Sequence, residues 1–215
     1  MRTVFADRRD AGMALAQRLS GRAFVAPLVV ALPRGGVPVA YEIARALGAP
    51  LDVLVVRKLG ASGNPELGVG AIAEGGVAVI DAAAVARAGM SEAALAEVMR
   101  RERDALRAAV ARYRGTRPRV PVRARTAIAV DDGLATGLTA LAAIRALRGW
   151  GGARVIVAVP VGAGDSIAML AAEADEVIAH TVPTRLRAVG YWYRDFAPVS
   201  DEEVLELLAS SREGA

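Results

Sequence analysis

Short apolar runs and longer segments with helical spacing follow one another along the chain. The apolar runs that predict buried strands cover residues 28–32, 51–56, 77–80, 126–130, 155–159 and 176–179. Helical spacing covers residues 7–19, 37–47, 91–114, 137–147, 165–172 and 201–208. Strands that alternate with helices predict an α/β fold, with a mostly parallel central sheet flanked by helices. Ligands of such sheets bind beyond the carboxyl ends of the strands, so the functional loops should follow Leu32, Val56, Asp131 and Val159.

Glycine-rich sequence interrupts this regular pattern after the second apolar run. Residues 57–70 contain four glycines and Pro65, and they are predicted to form a loop that closes over a ligand. The short apolar runs 71–73 and 77–80 flank Gly75-Gly76 and are expected to form a hairpin.

A helical insertion is predicted at about residues 81–121 of a single domain that covers residues 1–215. Its long helix should be capped by Ser91. Ten arginines lie between Arg100 and Arg125, which fits either a solvated helix face or a nucleic-acid patch. Only Tyr113 supplies an aromatic ring there, so nucleic-acid binding is the less favoured interpretation.

Composition narrows the class of protein further. The chain has 215 residues, of which 54% are hydrophobic, and it contains no cysteine, so neither disulfides nor thiolate chemistry are expected. No apolar run approaches the roughly 20 residues that span a bilayer, and the first residues are too polar for a signal peptide, so we expect a cytoplasmic protein without a membrane partner. The net charge of +4 suits an anionic ligand, and Lys58 is the single lysine beside 26 arginines.

The most informative segment is Ala127-Ile-Ala-Val-Asp-Asp-Gly-Leu-Ala-Thr-Gly-Leu-Thr139. A buried strand ends there in two adjacent acids, and a turn rich in Gly and Thr then opens into a helix. Backbone N–H groups at such a helix N-terminus form an anion cradle, to which Thr136 and Thr139 add hydroxyl donors. Asp131 and Asp132 can accept hydrogen bonds from sugar hydroxyls, and adjacent acids after a buried strand cost free energy unless they have partners. The segment therefore predicts a site for a phosphorylated ribose.

This segment resembles the phosphoribosyl diphosphate (PRPP) motif of the type I phosphoribosyltransferases, which has four apolar residues, two acids, two variable residues and then small residue-Thr-Gly-x-Thr. The resemblance implies the type I phosphoribosyltransferase fold, with a small hood region that selects the acceptor. Residues 76–121 and residues 183–198 are the two segments that can contribute to the hood. It also implies that Asp131 and Asp132 act on the ribose hydroxyls. The 5′-phosphate would bind the turn formed by Leu134, Ala135, Thr136, Gly137, Leu138 and Thr139. Magnesium would be held mainly by PRPP itself, with Asp131 or Asp132 as a direct ligand at most.

Two further loops extend the resemblance. Pro33-Arg34-Gly35-Gly36 follows the first strand, where the family has its pyrophosphate loop and often a strained or cis peptide. Arg57-Lys58-Leu59-Gly60 follows the second strand and is similar to the start of the flexible loop in the adenine branch. Arg34, Gly35, Gly36 and Arg57 are thereby implied in substrate binding, and Lys58 is placed to neutralise the leaving pyrophosphate.

The acceptor is not specified by these motifs. Glu74 falls where adenine enzymes place a glutamate near the base, and Glu66 is the alternative. In the hypoxanthine-guanine branch an acid occupies the position of Ala135. Adenine enzymes typically carry alanine at this position, as this chain does. Residues 183–198 include the aromatic side chains Tyr191, Trp192, Tyr193 and Phe196, which are candidates for a base platform, the core or a dimer contact.

The resemblance implies an Mg²⁺-dependent enzyme that transfers the phosphoribosyl group of PRPP to a purine-like nitrogenous base and releases pyrophosphate. We expect it to be a homodimer. The alternative is a regulator on the same fold that senses PRPP or a nucleotide without turnover, with RNA as a possible partner.

Overall fold

The computed structural model describes residues 5–213, apart from the side chains of Glu66, Arg212 and Glu213. The alternative that rests on Glu66 lies outside the described residues. The described chain forms the strands β1 (Leu28–Ala31), β2 (Leu51–Val53), β3 (Val56–Ala61), β4 (Asn64–Ala73), β5 (Ala78–Ile80), β6 (Thr126–Val130), β7 (Arg154–Val161) and β8 (Glu176–Thr181). Its α-helices are α1 (Arg8–Leu19), α2 (Gly36–Leu47), α3 (Ala82–Arg87), α4 (Glu92–Arg114), α5 (Leu138–Gly149), α6 (Gly164–Ala171) and α7 (Asp201–Glu213).

The central sheet has five parallel strands in the order β2-β1-β6-β7-β8. Alternate residues of its strands face opposite sides, as the pleat requires. Val29, Ile128 and Ile156 share a row and pack in one apolar cluster with α1, α2 and α7. The next row, formed by Val30, Ala129 and Val157, packs in a second cluster with α5. Burial on both faces explains the nearly continuous apolar runs, and the predicted α/β fold is confirmed.

A smaller antiparallel sheet, β3-β4-β5, lies between α5 on one side and α3 and α4 on the other. The prediction of a loop at residues 57–70 was wrong, because β3 and most of β4 occupy it. The glycines there allow close backbone approach. A Cβ on Gly60 would lie 2.4 Å from the Pro65 carbonyl oxygen, and one on Gly70 would lie 2.4 Å from that of Val79.

Other predicted elements differ from the structure mainly at their ends. The strand expected at 51–56 is divided, because the chain leaves the central sheet after Val53 and enters the small sheet at Val56. The hairpin around Gly75-Gly76 is confirmed as the β4–β5 connection. Ser91 caps α4 as predicted, since its hydroxyl accepts from the Ala94 N–H. Among the described helices, none is both long enough and apolar enough to cross a membrane.

Candidate functional site

The loops that follow β1, β6 and β7 meet at the carboxyl edge of the central sheet. The Leu32 N–H donates to the Val130 carbonyl at 2.8 Å, which ties the β1 loop to the end of β6. The Leu134 N–H donates to the Val161 carbonyl at 2.8 Å, and the Ala163 N–H donates to the Leu134 carbonyl at 2.9 Å. Buried Leu134 therefore anchors the turn after the acid pair to the end of β7.

Gly35 and Gly36 lie directly against the acid pair. A Cβ on Gly35 would lie 2.0 Å from Asp132 Oδ2, and one on Gly36 would lie 2.5 Å from the Val130 carbonyl oxygen. Only glycine allows the two loops to approach so closely. The structure thus brings together two segments that are about 100 residues apart in sequence, as the resemblance implies. The Pro33–Arg34 peptide is cis, which confirms the expectation for this loop.

Asp132 is held by two side chains that are distant from it in the sequence. Arg8 Nε, in the first turn of α1, donates to Asp132 Oδ2 at 2.8 Å, and the two side chains are 11% and 16% exposed. The Tyr193 hydroxyl donates to the Asp132 carbonyl oxygen. Asp131 Oδ1 accepts from the Asp132 N–H at 2.9 Å.

Burial disfavours charge on both acids. It raises the pKa of Asp131 well above the ordinary value, and the neighbouring Asp132 carboxylate raises this pKa further. Burial also raises the pKa of Asp132, although the hydrogen bond and positive charge of Arg8 act in the opposite direction. The acid pair therefore carries an electrostatic cost that hydroxyl donors or a cation would relieve.

The turn between the acids and α5 leaves backbone donors open. Gly137 precedes α5 with a φ of 78°, and no side chain among the described residues caps the helix there. Ala135 and Thr136 are exposed, while the Ser166 hydroxyl donates to the Ala135 carbonyl and holds the turn from behind. An uncapped helix N-terminus beside a Gly/Thr turn can bind a phosphate.

Arg34 and Arg57 line one cavity of about 440 Å³, between the β1 loop, the start of β3 and the helix α4. Each guanidinium has an acidic partner in this structure. Arg57 pairs with Glu102 at 2.9 Å, and Arg34 lies 3.9 Å from Asp201. The two arginines that the resemblance implies in substrate binding therefore face the same space.

Lys58 lies on the other face of β3 from Arg57, because side chains alternate along a strand. Val56 is on the same face as Lys58 and packs in the cluster that contains α5. The Lys58 side chain lies across Gly68, where a Cβ would be 2.8 Å from Cε. It is exposed and on the α5 side of the small sheet.

Glu74 belongs to a buried ion-pair network rather than to the acid pair. Arg114 donates to Glu74 and to the Val53 carbonyl, and it lies 3.6 Å from Asp52. These three charged side chains are 11–14% exposed. The arrangement favours a structural role, and the role of Glu74 near the base stays a prediction.

The aromatic side chains of residues 183–198 divide into two groups. Trp192 and Tyr193 are buried in a cluster with Phe5 and Val161, whereas Tyr191 is 66% exposed. A cavity of about 500 Å³ lies close by, between residues 163–165 after β7 and residues 182–186 after β8.

Sequence reasoning missed Arg8 and the Tyr193 hydroxyl. Nothing singles out one guanidinium among 26 arginines, and its partner is 124 positions away. The sequence gives one weak signal of a special role for Arg8. Helix N-termini favour acids, yet Arg8 is a basic residue at the first position of α1.

These features define a class of protein. One strand of a parallel α/β sheet ends in two acids, and these acids pack on a Gly-Gly loop. An uncapped helix N-terminus follows them. Such an arrangement is suited to bind a sugar phosphate.

Comparison with known proteins identifies the family. The model of the phosphoribosyl transferase domain matches residues 7–191, so the chain belongs to the phosphoribosyltransferase family. Two curated Mycobacterium tuberculosis proteins, from strains H37Rv and CDC 1551 / Oshkosh and each named "Putative phosphoribosyl transferase", are 47% identical over 205 residues. The match covers 95% of this chain but 46% of theirs, so the chain spans about half the length of these relatives.

Solved structures agree with the fold. The structure of TT1426 from Thermus thermophilus is similar with a TM-score of 0.80 and 44% identity, over 96% of this chain and 98% of that one. The AQ2163 protein from Aquifex aeolicus is similar with a TM-score of 0.52, over 94% of this chain and 84% of that one, and its 11% identity shows the fold alone.

Proposed function

We propose that this chain transfers the phosphoribosyl group of PRPP to a nitrogenous base and releases pyrophosphate. The observation that carries the proposal is the acid pair, which lies against Gly35-Gly36 and is followed by an open α5 N-terminus. In the reaction, the bond between ribose C1 and the diphosphate oxygen breaks, and diphosphate leaves with the electron pair. A base nitrogen forms the new bond to C1 and loses its proton.

Each part of PRPP has a proposed partner. The 5′-phosphate binds the backbone N–H groups and hydroxyls of residues 134–139. Asp131 and Asp132 accept hydrogen bonds from the ribose hydroxyls, and they also favour the positive charge that develops on the ribose ring. The raised pKa values of both acids support this assignment, because perturbed carboxylates cluster at functional sites.

The pyrophosphate end would face Arg34, the Gly35-Gly36 amides and Arg57. The shared cavity of about 440 Å³ supports this placement for the two arginines. Lys58 is not among the residues that line this cavity, because it lies on the opposite face of β3 from Arg57, so its proposed role in neutralising the leaving group requires the diphosphate to reach the α5 side of the small sheet. Arg34 and Arg57 would then exchange their contacts with Asp201 and Glu102 for contacts with phosphate oxygens.

The chemistry of the residues present fits Mg²⁺ only together with the substrate. Among the side chains that the structure describes, no group of three or more His, Cys, Asp or Glu residues could hold a metal ion. Asp131 and Asp132 supply the hard oxygen ligands that Mg²⁺ prefers, and PRPP would supply the rest. When bound, the ion would neutralise charge on the diphosphate.

The acceptor that we propose is a flat, purine-like heterocycle near residues 183–198, the proposed hood. The cavity of about 500 Å³ between residues 163–165 and 182–186 supports this position, because Leu134 pairs directly with Gly162 beside it. Exposed Tyr191 is the aromatic side chain that remains for stacking on the base. A homodimer is proposed as well, and light scattering tests it.

The decisive experiment is a screen of purine and pyrimidine bases with PRPP and Mg²⁺, scored by pyrophosphate release. The control is Asp131→Asn combined with Asp132→Asn, which should weaken PRPP binding by about 100-fold while the fold persists, since each charged hydrogen bond contributes about 1.5–3 kcal/mol. Unchanged PRPP affinity of the double variant in calorimetry would exclude this site. Tight PRPP binding without turnover on any base would favour the regulator instead.

A further inference from the structure

Arg8 is the basic side chain that contacts the acid pair. Its Nε lies 2.8 Å from Asp132 Oδ2, and both side chains are largely buried. Its position is fixed by the start of α1, where Asp7 caps the helix by accepting from the Asp10 N–H. Arg8 is therefore held on a helix rather than on a flexible segment.

Residues 196–197, which precede α7, fix the other side of the same guanidinium. Arg8 Cζ lies 3.9 Å from the centroid of the Phe196 ring, and Arg8 Nη1 donates to the Ala197 carbonyl at 2.7 Å. A planar guanidinium that stacks on a ring and donates to two acceptors is fixed in orientation as well as in place. Arg8 thus connects residues 196–197 to Asp132.

Contacts on several sides restrict the orientation of Asp132. Arg8 binds Oδ2, and Gly35 lies so close to the same oxygen that a Cβ would be 2.0 Å away. Tyr193 holds the backbone carbonyl of Asp132. Oδ1 of Asp132, which Arg8 does not hold, is therefore the oxygen that we expect to accept a hydrogen bond from a sugar hydroxyl.

We propose that Arg8 is a positioning residue that orients Asp132 toward the ribose hydroxyls of the substrate. The inference rests on the proposed function, because it assigns a ribose to the acid pair. Arg8 does not contact the substrate, and it acts through Asp132. Loss of Arg8 should therefore weaken ligands that contain the ribose, and should leave unchanged those that contain only phosphate.

The test compares Arg8→Gln and Arg8→Lys with the wild type by calorimetry on PRPP, ribose 5-phosphate and pyrophosphate. The matched control is Arg9→Gln, because Arg9 is the next residue of α1 but pairs with Glu42 and is 62% exposed. We expect Arg8→Gln to weaken PRPP and ribose 5-phosphate by about 10- to 100-fold, and pyrophosphate by less than about twofold. Arg8→Lys should restore part of the lost affinity, and Arg9→Gln should bind like the wild type.

Thermal melting of each variant accompanies the binding measurements. If Arg8→Gln does not fold, Arg8→Lys carries the test, because its alkyl stem still packs on Phe196, and it should still weaken ribose ligands selectively. Equal losses for ribose 5-phosphate and pyrophosphate, or no loss for either, would overturn the role of Arg8 while leaving the proposed function intact. A folded wild type that does not bind PRPP would overturn the proposed function, and this inference with it.

Discussion

Gly35→Ala should damage the acid pair although it replaces no charged side chain. The new Cβ would lie 2.0 Å from Asp132 Oδ2 and 2.6 Å from its Cγ, whereas real Cβ contacts essentially never fall below 3.0 Å. The carboxylate must therefore retreat by at least 1.0 Å. Arg8 Nε is bound to that same oxygen at 2.8 Å, so a displacement of this size breaks or lengthens the bond.

The expected loss of PRPP affinity follows from the hydrogen bonds that the displaced carboxylate of Asp132 loses. A hydrogen bond to a charged group contributes about 1.5–3 kcal/mol, and 1.4 kcal/mol corresponds to a tenfold change in affinity. Misplacement of Asp132 should therefore reduce PRPP affinity by roughly 10- to 100-fold. The free energy of unfolding should fall by a similar energy, because Arg8 and Asp132 lose their pairing in a largely buried position.

Calorimetry with PRPP and thermal melting measure the two effects separately. The matched control is Gly149→Ala, since a Cβ at Gly149 meets nothing within 4 Å and Ala is favoured over Gly in a helix. The control should bind PRPP like the wild type. If Gly35→Ala also binds like the wild type, the close packing of the β1 loop on the acid pair does not matter for binding, and the reasoning is refuted.

Three further predictions concern charged side chains. Lys58→Ala should lower the rate of pyrophosphate release far more than it lowers affinity for ribose 5-phosphate, which has no diphosphate to contact; equal losses would indicate a structural role. Arg114→Met should lower the free energy of unfolding by about 3–5 kcal/mol in denaturant titrations, because it leaves Asp52 and Glu74 buried without their cation; a loss below about 1 kcal/mol would contradict this. Burial and the neighbouring carboxylate raise the pKa of Asp131 above its unfolded value, so the folded chain binds the carboxyl proton more tightly than the unfolded chain does. The stability of the fold therefore decreases as the pH rises through the raised pKa. Asp131→Asn, whose side-chain oxygen can still accept the neighbouring N–H, should therefore be more stable than the wild type at pH 8, by about 1–3 kcal/mol, and the difference should shrink as the pH falls; a pH-independent difference would refute the electrostatic explanation.

The sequence predicts the central sheet and most of the site because both depend on local patterns. Apolar runs such as residues 126–130 face helices on both sides, so composition alone indicates their burial. The acid pair and the Gly-Gly loop lie at strand ends, and parallel strands bring their carboxyl ends to one edge. The meeting of residues 33–36 with residues 131–132 therefore follows from topology once the strands are correctly assigned.

What the sequence does not predict depends on contacts between distant residues. The glycines of residues 57–70 suggest a loop, yet they allow β3, β4 and β5 to approach one another closely. The difference between a flexible glycine and a tightly packed one lies in its neighbours, which the sequence does not specify. The position of Glu74 in the sequence likewise suggests a contact with the base, whereas the fold places it beside Arg114.

The energetics of the acid pair connect the fold with its chemistry. Asp131 and Asp132 are adjacent at the end of a buried strand, and both have raised pKa values because burial disfavours their charge. Arg8 forms an ion pair with Asp132, so the charge of Asp131 is relieved chiefly by one backbone N–H. A buried acid without a cation partner lowers stability, so selection for stability alone would replace it. Residues that destabilise the fold in this way are retained mainly at functional sites. Ribose hydroxyls would supply the missing hydrogen-bond donors, and Mg²⁺ would supply positive charge. Relief of the electrostatic cost that the acids carry in the free protein would then contribute to the binding free energy of the ligand.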